Sequence, residues 1–329
     1  MRALLFFLPV AAFAAACTTT DCTEWIGYGS GPGRSLIYRT YPLDVKNENI
    51  KRAFIMVHGA SRDADNYFRT AVAAAFLGGA LDDTIVISPR FASNSGGGCA
   101  DTLASNEVGW PCGGDSWRSG GVSPSHKELN SYDFADQLLR KLARKEVFPN
   151  LKAIVVAGHS AGGQFVTRYE MANKVHDSLG VKITYVVANP SSYAYLDVMR
   201  PTADGKSVGR FSDGRNCTTY NMWPYGLESR GTGYASKIPD EVLKKQLAAR
   251  PTTYLLGELD ILPLAGFDSS CPAMAQGPTR LARGQAFVNY VTSKYAAVNH
   301  KAVVVPLCGH NARCMFTADP ALAIIFPKE

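Results

Sequence analysis

The chain has 329 residues, with 34 Lys or Arg against 28 Asp or Glu and a formal charge of +6. That length buries a large core. The basic residues are scattered rather than gathered into a stripe interleaved with aromatics, so nucleic-acid binding is not expected, and the Lys141–Lys145 cluster reads as a solvated helix face. Beyond the N-terminus no run approaches the ~20 apolar residues of a transmembrane helix, so no membrane span is expected.

The basic start Met1-Arg2, the apolar stretch Ala3–Ala14 and the small residues Ala14-Ala15-Ala16 read as a signal peptide over 1–16. Residues 17–329 hold no repeat and no low-complexity linker, which predicts one domain. Cleavage after Ala16 keeps all eight cysteines, Cys17, Cys22, Cys99, Cys112, Cys217, Cys271, Cys308 and Cys314. An even count in an exported chain predicts four disulfides and an extracellular location. Lipid attachment at Cys17 is the rival, but Ala14 stands where a larger aliphatic residue is usual, and lipidation leaves an odd number of thiols. Asn216-Cys217-Thr218 is a glycosylation sequon.

Further along, Ala53–Val57 reads as a strand ending at His58-Gly59, Tyr67–Leu77 as a helix, and Thr84–Ser88 as a strand stopped by Pro89. Asn130 caps a helix whose apolar face is Tyr132, Ala135, Leu138, Leu139 and Leu142, with Asp133 in its first turn. Strands follow at Ala153–Ala157, Ile183–Ala188, Thr253–Gly257 and Ala302–Leu307, and a last helix is expected with Asp319 as its cap and Pro320 as its first residue. Apolar strands alternating with helices predict an α/β fold, a mostly parallel sheet covered on both faces, with ligands at the carboxyl ends of the strands. Two irregular stretches, near 90–125 and 199–237, break this rhythm and read as surface insertions that wall a pocket, or as loops merely pinned by disulfides.

The chemistry centres on Gly158-His159-Ser160-Ala161-Gly162, placed after the apolar run Ala153–Ala157 and before Phe165, Val166, Tyr169 and Ala172 at helical spacing. Glycines on either side of a serine let strand and helix approach closely and force the hydroxyl out at the helix head. Ala161 N–H then points toward a developing oxyanion. A serine needs a base. Of the six histidines, His159 should point aside, His58 shapes the loop before Gly59, and His126, His176 and His300 read as surface residues. His310, just past Val303–Leu307, remains as the base. For the acid, Asp260 follows the strand of "TYLLGELDILP"; Asp197 is the rival, Asp268 is a weaker candidate, and Glu258 faces solvent. Cys308 and Cys314 bracket His310, and a bridge between them closes a short loop that holds the imidazole; a zinc site there is the less favoured alternative.

Together "VHGASRDADNYF", "VVAGHSAGGQF", "YLLGELDILP" and "LCGHNARC" resemble the α/β-hydrolase superfamily, above all its secreted microbial and fungal serine hydrolases. The resemblance covers nearly the whole chain after the signal peptide. It implies Ser160 as nucleophile, Asp260 as acid and His310 as base, in the chain order of that fold. It also implies Ala161 and Ala60, or alternatively Ser61, as oxyanion donors. Ala60 and Ser61 replace the further glycines of an HGGG loop, which argues against an HGGG-type lipase or esterase. The activity implied is hydrolysis of small-molecule or polymeric carboxylic esters, with no metal or organic cofactor. The alternatives are a secreted peptidase or amidase and a non-catalytic binding protein on the same fold. Oligomeric state is not legible.

Overall fold

The computed structural model describes residues 22–328, apart from 115, 203, 206, 212–216, 265 and 296–298. The expected signal peptide, Cys17 and the Asn216 sequon lie outside the described residues. The strands are β1 (Thr23–Gly27), β2 (Arg34–Arg39), β3 (Arg52–Val57), β4 (Thr84–Pro89), β5 (Ala153–His159), β6 (Lys182–Ala188), β7 (Met199–Pro201), β8 (Val208–Arg210), β9 (Thr252–Gly257) and β10 (His300–Val305). The helices are α1 (Ala64–Leu77), α2 (Ser131–Leu142), α3 (Ala161–Ala172), α4 (Asp240–Ala249), α5 (Cys271–Met274), α6 (Arg280–Lys294), α7 (Ala312–Thr317) and α8 (Asp319–Ile325).

Eight strands form one sheet in the order β1-β2-β4-β3-β5-β6-β9-β10. The β1–β2 hairpin is antiparallel and joins β4 antiparallel; from β4 to β10 every pairing is parallel. Successive side chains of a strand face opposite ways, and both faces here are apolar. Ile55, Val57, Ile154 and Val156 pack under α2, α3, α4 and α6. Phe54, Met56, Val155 and Ala157 pack under α1, α7 and α8. This is the helix-covered, mostly parallel sheet expected from the alternation.

Local chemistry sets several boundaries. The Asn130 side chain accepts from the N–H groups of Tyr132 and Asp133, while Asp133 accepts from Asn130 N–H, a capping box that starts α2. Asp136 of that helix accepts hydrogen bonds from Tyr169 of α3 and from Tyr234, both 2.7 Å, and so ties the two helices together.

Some expectations need correction. β1, β2, α4 and α6 are additional to the expected elements; α4 and α6 carry polar or charged residues through much of their length. α6 carries Gly284, where a side chain would meet Leu256 at 2.3 Å. β10 begins two residues earlier and ends earlier than expected, because the chain turns out at Leu307 with φ 57°. Ala318, not Asp319, is the cap of α8. His126 and His300 are buried rather than at the surface. His300 donates to Leu247 carbonyl at 2.6 Å and accepts from Tyr254 hydroxyl at 3.0 Å, and burial pushes its imidazole down to about 4. Lys141 and Arg144 converge on Asp44 instead of facing open solvent. Trp110 and Trp117 are core residues, with Trp117 stacked on Phe91 at 5.0 Å, so the stretch near 90–125 does more than run over the surface.

Glu170, fully buried in α3, accepts from Thr252 hydroxyl at 2.9 Å and links the helix to β9. Burial holds its carboxyl well above the usual range, with the Thr252 bond opposing. A carboxyl raised in the folded state stabilises fully below its unfolded value, and that contribution is lost as pH rises through the folded value. Glu170→Gln is therefore expected to match the wild type near pH 4.5 and to be increasingly more stable than it toward pH 8. Denaturant midpoints at a series of pH values check this; a constant difference contradicts it.

Candidate active site

The site is built where β5 meets α3. Ser160 takes φ 57° and ψ −119°, a left-handed conformation that a side chain adopts only under constraint. The constraint is visible at the flanking glycines. A Cβ on Gly158 would lie 2.3 Å from Gly162 carbonyl oxygen, one on Gly162 would lie 2.2 Å from Val57 carbonyl oxygen, and one on Gly163 would lie 2.7 Å from Ala188 carbonyl oxygen. The start of α3 is thus pressed against β3, β5 and β6 together. Ser160 N–H donates to Ala188 carbonyl at 2.9 Å, which locks the turn to β6. Gly163 is a third obligatory glycine that the G-x-S-x-G pattern does not name.

Three of the residues singled out from sequence come together here. Ser160 hydroxyl donates to His310 Nε2 at 2.9 Å, and His310 Nδ1–H donates to Asp260 Oδ2 at 2.7 Å. Asp260 is 1% exposed and follows β9, while the His310 side chain, 11% exposed, follows β10. Asp197 is elsewhere: it pairs with Lys294 and caps the Met199 N–H at 2.9 Å. Asp268 accepts from Tyr225 hydroxyl at 2.8 Å, and Glu258 accepts from Leu307 N–H at 2.9 Å. Ala161 is the first residue of α3, so its N–H lacks an acceptor within the helix. Ala60 lines the same open cleft, about 630 Å³, as Gly59, Ser160 and His310.

The other histidines are held away from this chemistry by burial. His58 donates from Nδ1 to Gly59 carbonyl at 2.8 Å and accepts from Phe91 N–H at 3.1 Å; burial drives its imidazole down to about 3, so it braces the loop as a neutral ring. His159 stacks on His310 with centroids 4.6 Å apart and bonds through Nδ1 to Tyr67 hydroxyl at 3.1 Å. Burial first, then the charges of His310 and Arg280, holds His159 well below the usual imidazole range.

The His310 loop is pinned twice. Cys308 and Cys314 are disulfide-bonded, so neither thiol is free for a metal. Asn189, with φ 45°, accepts from Gly257 N–H at 2.8 Å and donates to Gly309 carbonyl at 3.2 Å, joining the ends of β6 and β9 to the loop. Nothing in the sequence marked Asn189, Tyr67 or Arg280, because each acts through contacts between distant segments. Two further disulfides join Cys99 to Cys112 and Cys217 to Cys271, and Cys22 is also bonded. A larger cavity, about 1120 Å³, lies between the β7–β8 hairpin, Cys217–Thr219 and α5; it contains none of the three residues, and no described residue of the stretches near 90–125 and 199–237 lines the Ser160 cleft.

The sequence profile of the alpha/beta hydrolase family matches residues 54–324. No curated protein matches the sequence. Among solved structures, the poly(3-hydroxybutyrate) depolymerase LpqC of Bordetella parapertussis is similar at a TM-score of 0.63 and 20% identity, covering 90% of this chain and 85% of that one. Poly(aspartic acid) hydrolase-1 of Sphingomonas sp. KT-1 is similar at 0.63 and 22% identity, covering 92% and 98%. At these identities the likeness is one of fold.

The packing at the turn makes a sharp prediction. Gly162→Ala drives a methyl group into Val57 carbonyl oxygen and is expected to cost more than about 4 kcal/mol, outside the ordinary range of point mutants. Gly113→Ala, with open space around it, is the control and should be near neutral. Urea unfolding of the two variants reads the difference; comparable stabilities contradict the account.

Proposed function

Because the chain belongs to the alpha/beta hydrolase family, we propose that it is an exported serine hydrolase that cleaves carboxylic esters through an acyl-enzyme. The observation that carries this reading is the continuous hydrogen-bond chain Ser160–His310–Asp260, 2.9 and 2.7 Å long, opening into one cleft. His310 Nε2 takes the hydroxyl proton as Ser160 Oγ bonds to the carbonyl carbon, and Asp260 stabilises the imidazolium that forms. The carbonyl oxygen becomes an oxyanion held by Ala161 N–H, with Ala60 N–H as the second donor. As the ester C–O bond breaks, His310 returns the proton to the leaving alkoxide. Water then attacks the acyl-enzyme by the same route and releases the acid and Ser160. No step requires a metal or an organic cofactor.

The cleft itself is lined by polar side chains, Asp63, Asn66, Arg69 and Arg313 among them, while apolar side chains stand exposed beside the acid and the base. Leu259, Ile261, Leu262 and Leu264, beside Asp260, and Leu307, before His310, are each about half exposed or more. From Leu259 to Phe267 the only charged side chain is Asp260, which is buried. One structurally similar protein is a poly(3-hydroxybutyrate) depolymerase, which supports a polymeric ester as a candidate substrate of this open cleft. Disulfide-bonded cysteines and the leader-like segment 1–16 support an extracellular location.

Ser160→Ala is expected to remove nearly all turnover of p-nitrophenyl butyrate with the fold intact; unchanged kinetics reject the proposal. A matched p-nitrophenyl amide separates this reading from an amidase: hydrolysis as fast as that of the ester favours the amidase.

Asp260→Asn should lower kcat by on the order of ten-thousandfold with a smaller change in KM, whereas Asp197→Asn leaves kcat within about threefold of wild type. The reverse ranking assigns the acid to the other loop.

A further inference from the structure

The carboxylate of Asp260 has two oxygens, and each meets a different nitrogen cation or cation-to-be. Oδ2 accepts from His310 Nδ1 at 2.7 Å, while Oδ1 lies 3.4 Å from the donating Nη1 of Arg280. The Arg280 and Asp260 side chains are 0% and 1% exposed. Arg280 is the first residue of α6, behind its cap Thr279, and its Nε donates to Ser191 Oγ at 2.8 Å. Phe267 lies over the guanidinium at 5.2 Å, and Leu281 N–H donates to Asp260 carbonyl at 3.3 Å, so α6 grips the acid by main chain and side chain at once. Burying a guanidinium is costly unless it is paired. A triad acid needs hydrogen-bond donors, which uncharged groups can supply; a buried cation does something more.

We propose that Arg280 is a positioning residue that shares the Asp260 carboxylate with His310 and keeps His310 a free base in acidic medium. The inference rests on the triad reading above. An unshared buried carboxylate stabilises imidazolium in the resting enzyme as well as in the transition state, and a resting imidazolium cannot accept the Ser160 proton. A cation on Oδ1 opposes that resting charge, while the Nδ1–H···Oδ2 bond still orients the ring.

The groups facing this cluster do not duplicate the role. His159, from the end of β5, is a neutral ring stacked on His310. Tyr193, after β6, stays protonated, its hydroxyl raised by burial first and by Tyr195 and Asp260 after that. Arg283, one turn further along α6, donates to the carbonyls of Ser191 and Asp268. Asp268 accepts from Tyr225. On the His310 side the cleft adds Arg313, Arg69, Asp63 and Tyr67, with Asn311 beside His310. Among the described residues, Arg280 and His310 are the groups that form ion pairs with Asp260.

The test is the pH dependence of kcat/KM on p-nitrophenyl butyrate for wild type, Arg280→Gln and Arg280→Lys. Arg280→Gln is expected to move the acid limb up by about one pH unit, roughly tenfold in activity on the limb, with a smaller change on the alkaline plateau. Arg280→Lys keeps the cation and should restore most of the limb. Equal losses at every pH in both variants, or a limb that does not move, overturn the proposal and reduce Arg280 to packing. Should Arg280→Gln not fold, thermal unfolding of Asp260→Asn and His310→Asn decides. The first strands a buried guanidinium and is expected to lower Tm clearly more than the second; equal Tm values overturn the pairing. A limb that does not move while Ser160→Ala is inactive rejects this inference and leaves the triad standing. An active Ser160→Ala rejects the triad reading itself.

Discussion

The structure depends on how closely the main chain of α3 approaches the sheet. Gly158, Gly162 and Gly163 sit where any side chain would meet the carbonyl oxygen of Gly162, Val57 or Ala188 within 2.7 Å. That contact draws the first turn of α3 against β3, β5 and β6 and leaves Ser160 to absorb the bend with φ 57°. The serine is consequently presented at the carboxyl end of the sheet by packing between strands and helix, without a flexible loop. Ala161 N–H, at the first position of α3, has no acceptor within the helix, and His159 is turned inward against Tyr67.

Electrostatics then sorts the ionisable groups around that point. The chain brings three imidazoles near the cleft, and two are disabled as bases by burial: His58 is driven to about 3 and His159 well below its ordinary value. His310 is left as the ring with access to both Ser160 and the cleft. It is fastened by the Cys308–Cys314 bridge, by Asn189 and by the carboxylate of Asp260, which is itself held from the far side by α6. Each fastening comes from a different segment. The groups are brought to hydrogen-bond distance by the sheet order β5-β6-β9-β10, which sets their loops side by side.

Much of this was legible before any coordinates. β3, β5, β6 and β9 are continuous apolar runs because both their faces are covered, and such runs stand out in a sequence. The elbow was legible because glycine spacing and an adjacent strand are local features, and Asn130 announced α2 by its cap. The β1–β2 hairpin was not, since its outer strand β1, with Trp25 and Gly27 exposed, loses the apolar signal. α6 was hidden by Arg280, Arg283 and Gly284, polar or small residues whose burial makes sense only against β9 and the loop after β6. The burial of His126 and His300 was missed for the same reason. Tyr254 and Leu247, which close on His300, lie 46 and 53 residues away from it in the chain. The two acids differ in where their strands deliver them: β9 lies next to β10 and brings Asp260 to the His310 loop, while Asp197 pairs with Lys294.

The most direct measurement is the mass of the intact protein and of its peptides after exposure to a p-nitrophenyl alkylphosphonate. An activated hydroxyl beside an oxyanion hole attacks phosphorus and expels p-nitrophenolate, and the adduct mimics the tetrahedral intermediate. The account predicts one adduct per chain, carried by the peptide that contains Ser160. No adduct, or an adduct on another residue while Ser160 remains unmodified, contradicts it.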